Sequence, residues 1–265
     1  MSDLSWIAQK SKLRPSMSVL YGPSGCGKTT LAVGCPMPMV MQTEDGLGIL
    51  TKDRDIANSK GIIPDYDKFM EHLKSLLEVD HPYKTLVVDS LDHFEPLVEK
   101  KTCDVNGWKN VDAPGFGKGP AAALKYWREF LDLVNRLRNE KSMRIVFICH
   151  HKVKPFNDPT VVEPYDRYDL KLKNQYSSLI LESCDMCLFL NNKKGTVKVQ
   201  GNKGMTNQTV QTHKVLYTTD SPAAVAKNRF NLDPEIKVVE DRDDPIGAAE
   251  KTWAEIGKMI QGKKS

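Results

Sequence analysis

The stretch Met17-Ser18-Val19-Leu20-Tyr21-Gly22-Pro23-Ser24-Gly25-Cys26-Gly27-Lys28-Thr29-Thr30 decides how this chain is read. An apolar run, Met17 to Tyr21, leads into Gly22 to Thr29, and a helix-compatible run, Thr30 to Val33, follows. The pattern G-x-x-x-x-G-K-[ST] is complete at Gly22, Gly27, Lys28 and Thr29. Its glycines let the backbone turn tightly and point successive N–H groups inward, which makes a concavity for an anion where a helix begins. The lysine then reaches the β- and γ-phosphates of a nucleotide. The threonine hydroxyl offers an oxygen to magnesium, a hard cation that keeps several of its waters. Gly22, Pro23, Ser24, Gly25, Cys26, Gly27, Lys28, Thr29 and Thr30 are therefore the expected nucleotide-binding residues. A plain glycine-rich turn joining a strand to a helix would not require all four fixed positions at once.

On either side of this loop, short apolar runs alternate with helical segments, the pattern of a mainly parallel sheet covered by helices. The expected strands are Met17–Tyr21, Met37–Gln42, Thr85–Asp89, Met143–Cys149 and Asp185–Leu190. Helices are expected from Thr29–Val33 and over Asp67–Glu78, Leu91–Cys103, Ala121–Arg138 and Ile246–Ile260. In the longest, Leu124, Trp127, Leu131, Val134 and Leu137 recur at helical spacing and mark a core-facing stripe. Alternation at Thr196–Gln200 and His213–Thr218 predicts an antiparallel extension towards the C-terminus. Two stretches, Asp104–Pro120 and His151–Asp169, break the pattern and read as long irregular loops of the kind that carry function. The expectation is one α/β domain spanning 1–265, with its core at about 15–240.

Composition narrows the function classes. Hydrophobic content of 40% and charged content of 27% suit a soluble globular protein, and no apolar stretch approaches the length of a membrane span. The start, Met1-Ser2-Asp3-Leu4-Ser5-Trp6, has no basic segment followed by an apolar core, so the expected compartment is the cytoplasm. The cysteines, Cys26, Cys35, Cys103, Cys149, Cys184 and Cys187, are dispersed and lie mostly in apolar runs, as buried thiols do. Cys184-Asp185-Met186-Cys187 has the spacing of a zinc half-site, but no second pair accompanies it and it continues into Leu188-Phe189-Leu190, as a core strand would. A net charge of +4 does not by itself imply nucleic acid. The distribution says more: Met186 to Thr219 holds no acid but carries Lys193, Lys194, Lys198, Lys203, His213 and Lys214. A solvated lysine-bearing hairpin and a phosphate-binding surface both fit that window.

Thr85-Leu86-Val87-Val88-Asp89 is an apolar strand ending in an acid, the form taken by the second magnesium-associated carboxylate of phosphate-loop nucleotidases. Thr29 and Asp89 are thus the expected metal residues. Hydrolysis also needs a group to orient or deprotonate the attacking water, and Glu44, after the strand ending Met41-Gln42-Thr43, is placed to do so; adjacent Asp45 is the alternative.

The order of phosphate loop, Thr43-Glu44-Asp45-Gly46, Val87-Val88-Asp89-Ser90 and Phe147-Ile148-Cys149-His150 resembles the RecA-type core. The resemblance implies a RecA-like P-loop fold, ATP with magnesium, Glu44 as the water-activating residue, and His150 as the sensor of the γ-phosphate with His151 as alternate. RecA-type recombinases usually carry an amide there, and a histidine brings pH sensitivity that an amide lacks. Lys227-Asn228-Arg229-Phe230 resembles the K-N-R-F motif of RadA-type members, which makes Lys227 and Arg229 candidate fingers inserted into a neighbouring copy's site. As a whole, over about 15–240, the chain resembles the short phage-encoded Sak-type ATP-binding proteins implicated in single-strand annealing. That resemblance implies a host-cell cytoplasmic location, single-stranded DNA, a homo-oligomeric ring or filament with shared ATP sites, and a partner single-strand-binding protein. RecA-type DNA-binding loops follow the third and fourth strands, which implies DNA contacts for Lys118 in the first irregular stretch and for Lys152, Lys154, Phe156 and Arg167 in the second. A helicase-like motor and a nucleotide-switched binding module that scarcely hydrolyses ATP are the competing readings.

Overall fold

The computed structural model describes residues 14–48, 50–52, 54–201 and 204–262. The N-terminal stretch read for an export signal, Lys203 and the tail after Gly262 lie outside the described residues. In chain order the elements are β1 (Met17–Gly22), α1 (Lys28–Val33), β2 (Pro38–Gln42), β3 (Ala57–Ile62), α2 (Tyr66–Glu78), β4 (Thr85–Asp89), α3 (Leu91–Asn106) and α4 (Lys118–Glu140). There follow β5 (Arg144–Phe156), β6 (Tyr165–Leu170), α5 (Asn174–Ser183), β7 (Met186–Gly201), β8 (Gly204–Tyr217), β9 (Lys227–Asn228), β10 (Glu235–Lys237) and α6 (Pro245–Gly262).

Every residue of β1 is buried because parallel neighbours flank it on both sides, β5 with Val19 level with Phe147 and β7 with Val19 level with Cys187. The sheet runs β10-β8-β7-β1-β5-β4-β2-β3, with β6 paired to β5 and β9 to β7. Its centre is parallel; the pairs β7–β8, β8–β10, β5–β6 and β7–β9 are antiparallel. Antiparallel pairing on the C-terminal side is the expected extension. Side chains alternate across a strand, and the core follows that alternation. Val19, Tyr21, Leu86, Val88, Ile145 and Phe147 face the layer formed by α2, α3, α4 and α5, whereas Leu20, Val87, Val146 and Ile148 face α1 and α6. Strands buried on both faces read as continuous apolar runs, which is why these segments are recognisable without a visible period.

One buried ion pair pins the bottom of the sheet. The Arg138 guanidinium on α4 bonds the Asp185 carboxylate before β7, both nearly solvent-free, and that carboxylate also accepts from the Met17 peptide N–H at 3.0 Å. Cys184 and Cys187 are wholly buried beside it, with their thiols pushed up by burial, Cys184 to about 12. The C-x-x-C therefore belongs to the core. All six cysteines are free and buried, and among the described residues no helix is long and apolar enough to cross a membrane.

The sequence expectations need three corrections. β3, β6 and α5 form where no element was expected. The first irregular stretch shrinks to 107–117, because α3 runs on to Asn106 and α4 begins at Lys118. The second is largely ordered: β5 continues to Phe156 and pairs with β6, from His151 opposite Leu170 to Phe156 opposite Tyr165.

Candidate functional site

The phosphate loop leaves the carboxyl end of β1 and enters α1. Gly22 can carry no side chain, since a Cβ there would fall 2.1 Å from the Leu190 carbonyl oxygen of β7. Gly27 takes φ 95°, a left-handed conformation that strains any other L-residue. Lys28 is buried and its Nζ donates to the carbonyls of Gly22 at 3.2 Å and Pro23 at 2.9 Å, which holds the ammonium inside the loop.

β4 ends level with β2, Asp89 opposite Gln42, and this register brings two acids to the loop. The Thr29 hydroxyl donates to Asp89 Oδ2 at 2.8 Å. Burial pushes the Asp89 carboxyl up to about 6; the Thr29 hydroxyl pulls it down and the Glu44 charge pushes it further up. Glu44 is placed by backbone: the Asp89 carbonyl accepts from the Thr43 and Glu44 N–H groups at 2.7 and 3.3 Å, and the Thr43 hydroxyl and Ser90 backbone bond each other in both directions at 2.7 Å. Gly46 closes the pocket. A Cβ on it would lie 3.3 Å from Asp89 Oδ2 and 3.6 Å from Thr29 Oγ1, so its bare Cα leaves room over an all-oxygen pair suited to magnesium.

A set of titratable side chains adjoins these acids. Asp92, in the first turn of α3, has a side chain only 1% exposed. It accepts from the His150 peptide N–H at 3.0 Å and from His150 Nδ1–H at 3.0 Å, with Lys171 Nζ 3.5 Å away. Burial opposes its charge, but the His150 peptide, the His150 ring and Ser90 outweigh it and hold the carboxyl below its ordinary value. Glu44 lies 3.3 Å from His93 Nδ1 and 3.9 Å from His150 Nδ1. Glu44, His93 and His150 each offer a ligand atom, all within 4.8 Å of one another, a donor set able to hold a transition-metal ion. Neither Asp92 nor His93 stood out in the sequence, since an Asp and a His after a strand-ending Asp-Ser carry no motif of their own.

The model of the AAA domain family matches residues 14–230, which include the loop, both acids and His150. The chain belongs to the AAA domain family. A comparison with curated proteins gives no match. The mostly parallel sheet flanked by helices is the fold of a P-loop ATPase of this family, and the residues lining this AAA domain's loop suit a nucleotide with magnesium.

The remaining expected site residues divide. Lys227 pairs beside Cys187, level with Val19, about 10 Å below Gly22 along the sheet. Its Nζ donates to the Leu181 carbonyl at 2.6 Å, while Arg229 bonds the Glu182 carbonyl and pairs with Asp185 at 3.5 Å. The AAA domain therefore does not bring these two to its own phosphate loop. On the β5–β6 hairpin, Lys152, Lys154, Phe156 and Arg167 share one face by alternation and register. Lys152 donates to the Leu172 carbonyl and Lys154 to Asn174 at 3.1 Å. Arg167 is 12% exposed, paired with Asp220, bonded to the Ala224 carbonyl and stacked 5.1 Å over the Phe156 ring. It ties the hairpin to the segment before β9. His151, the alternate sensor, faces Tyr168 with ring centroids 5.3 Å apart, away from Asp92. Lys118 is exposed at the start of α4, and two residues earlier Phe116, just before the α4 N-cap Gly117, is fully exposed, as is Val162 between β5 and β6. A lone aromatic among glycines gave no sequence signal for Phe116; only its complete exposure sets it apart.

Proposed function

We propose that the chain is a RecA-like ATPase of the Sak type that binds and hydrolyses ATP with magnesium and acts on single-stranded DNA, promoting annealing or strand pairing. The observation that carries this reading is the position of His150. It touches Asp92 and lies beside Glu44 at the nucleotide end, and the next residues of the same strand, 151–156, form the hairpin that carries Lys152 and Lys154. A change at the phosphate site that moves His150 therefore moves the hairpin through one continuous backbone.

Lys28 neutralises the outer phosphates, and Glu44 orients and deprotonates the attacking water. Magnesium, when bound with ATP through Thr29 and Asp89, shields the phosphate charge and stabilises the leaving oxygen. Phe116 and Val162 offer apolar tips, and Lys118 and Lys154 offer charge, to the bases and backbone of a single strand. Assembly into a ring or filament gives Arg229, half exposed, a neighbouring site to reach; Lys227 would have to leave the Leu181 carbonyl first. The host-cell cytoplasm and a partner single-strand-binding protein belong to the same reading.

The test is the ATPase rate with magnesium, with and without single-stranded DNA, across protein concentrations, for the wild type and Lys28→Ala. Stimulation by single strands that steepens with protein concentration and vanishes in the variant is the expected result. Tight ATP binding without turnover would replace the reading with a nucleotide-switched binding module, and directional duplex unwinding would replace it with a motor.

A further inference from the structure

Among the described residues Lys28 is not alone in bringing an ammonium to the phosphate loop. Another comes from the far end of the chain. Lys214 lies on β8 just before the residues that pair with β10, Val215 with Lys237 and Leu216 with Ile236. Its backbone is fixed twice more: the Val238 N–H donates to the Lys214 carbonyl at 3.0 Å, and the Lys214 N–H donates to Glu240 Oε1 at 2.8 Å. The side chain crosses to the loop, where a Cβ built on Gly27 would lie 3.3 Å from Lys214 Nζ. Burial raises the Cys26 thiol, and Lys28 and Lys214 both pull it down, as cations on either side of the loop would. Among the described residues the carboxylate paired with Lys214 is Glu240, whose Oε2 is 3.9 Å away, beyond hydrogen-bond reach and near the limit for an ion pair. The ammonium is thus held against the loop without a close anion.

Lys214 also lines a cavity of about 290 Å³ with Gly27, Thr30, Leu31, Val239 and Glu240. Glu44, Asp89 and His150 do not line that cavity, so it leads away from the end where the γ-phosphate is read. We infer that Lys214 is a second phosphate ligand of the nucleotide site, supplied by the same chain, that binds the inner phosphates of a nucleoside di- or triphosphate and exchanges Glu240 for them. The inference rests on the ATP reading above. It adds that the antiparallel β8–β10 extension is part of the binding site, and that ADP depends on it as ATP does, because the contact does not involve the γ-phosphate.

The experiment is ADP binding by titration calorimetry at several salt concentrations for the wild type, Lys214→Met, Lys214→Arg, Glu240→Gln and Lys28→Ala. Lys214→Met is expected to weaken ADP about tenfold, the loss of one charge-assisted contact, and to flatten the decline of affinity with salt. Lys214→Arg should keep most of the affinity, and Glu240→Gln should tighten binding about two- to threefold by freeing the ammonium. Unchanged ADP affinity in Lys214→Met, alongside a loss in Lys28→Ala, overturns the role of Lys214 and leaves the ATP reading standing. Absence of ADP and ATP binding in the wild type overturns the reading itself. Should Lys214→Met fail to fold, Glu240→Gln decides alone: unchanged or weaker binding refutes the exchange.

Discussion

The two halves of β5 are built differently. From Arg144 to Cys149 the strand lies between β1 and β4 and is almost wholly buried, with its side chains packed into both helical layers. From His151 to Phe156 it leaves those neighbours, keeps only β6, and turns Val153 and Pro155 outward. The inner half is held by apolar burial on two faces. The outer half is held by local ties: Lys152 to the Leu172 carbonyl, Lys154 to Asn174, and Arg167 to Asp220. An element with few buried contacts is free to change position at low cost, whereas one buried in the sheet is not. His150 is the joint between them, and on the proposed reading the rigid half would serve the chemistry and the tethered half the DNA.

At the site beside the rigid half, the largest effect expected is from Glu44→Gln, at a residue 3.9 Å from the joint at His150. Turnover should fall about 10²- to 10⁴-fold while ATP affinity stays within a few-fold, as read from single-turnover rates and equilibrium binding. Retained turnover would remove Glu44 from the chemistry and move that role to Asp45. On the tethered half, Lys154→Ala should make the salt slope of single-stranded DNA binding shallower, and in the separate 107–117 segment Phe116→Ala should weaken binding by about 1–3 kcal/mol with little change in slope. Affinity unchanged in both would place the DNA surface elsewhere and dissolve the contrast between the two halves.

The smallest effect concerns the brace behind the joint. Glu95, on α3 one turn beyond Asp92, accepts from the Lys173 N–H at 3.0 Å and so ties α3 to the start of α5. Burial pushes its carboxyl up to about 7, against the Lys173 peptide and with the push of Glu99. A folded value above the ordinary one means that the native state binds the proton more tightly, so this contribution to stability is full below about pH 4.5 and is lost as pH rises towards 7. Glu95→Gln should flatten stability across that window and raise it above pH 7 by on the order of 1–2 kcal/mol, allowing for the solvent that still reaches the group. Denaturant midpoints at pH 5 and pH 8 measure it. Parallel pH profiles for wild type and variant would show that Glu95 is not the group that titrates.

The same contrast explains what could be read beforehand. Met17–Tyr21, Thr85–Asp89 and the inner part of β5 are buried on both faces, so their burial demands unbroken apolar runs that stand out. β3 (Ala57-Asn58-Ser59-Lys60-Gly61-Ile62) is a sheet edge that buries little, and its polar residues carry no strand signal. The β5–β6 hairpin contains Pro155 and alternates lysine with valine, a pattern that takes a strand form only because β6 supplies its hydrogen bonds. α5 owes its place to Tyr176, Ser177 and Ile180 fitting under α4, a packing with weak periodicity across ten residues.

The sequence by itself determined the phosphate loop, the strand-ending Asp89, the Glu44 turn and the mainly parallel sheet, because each rests on adjacent residues or on a run whose burial leaves a compositional trace. Only the tertiary structure decided that Asp92 braces His150, 58 positions away, that His93 joins Glu44, that Arg167 pairs with Asp220, and that Lys214 returns to Gly27. Those pairings depend on strand order and register, which long-range packing sets and no local pattern encodes.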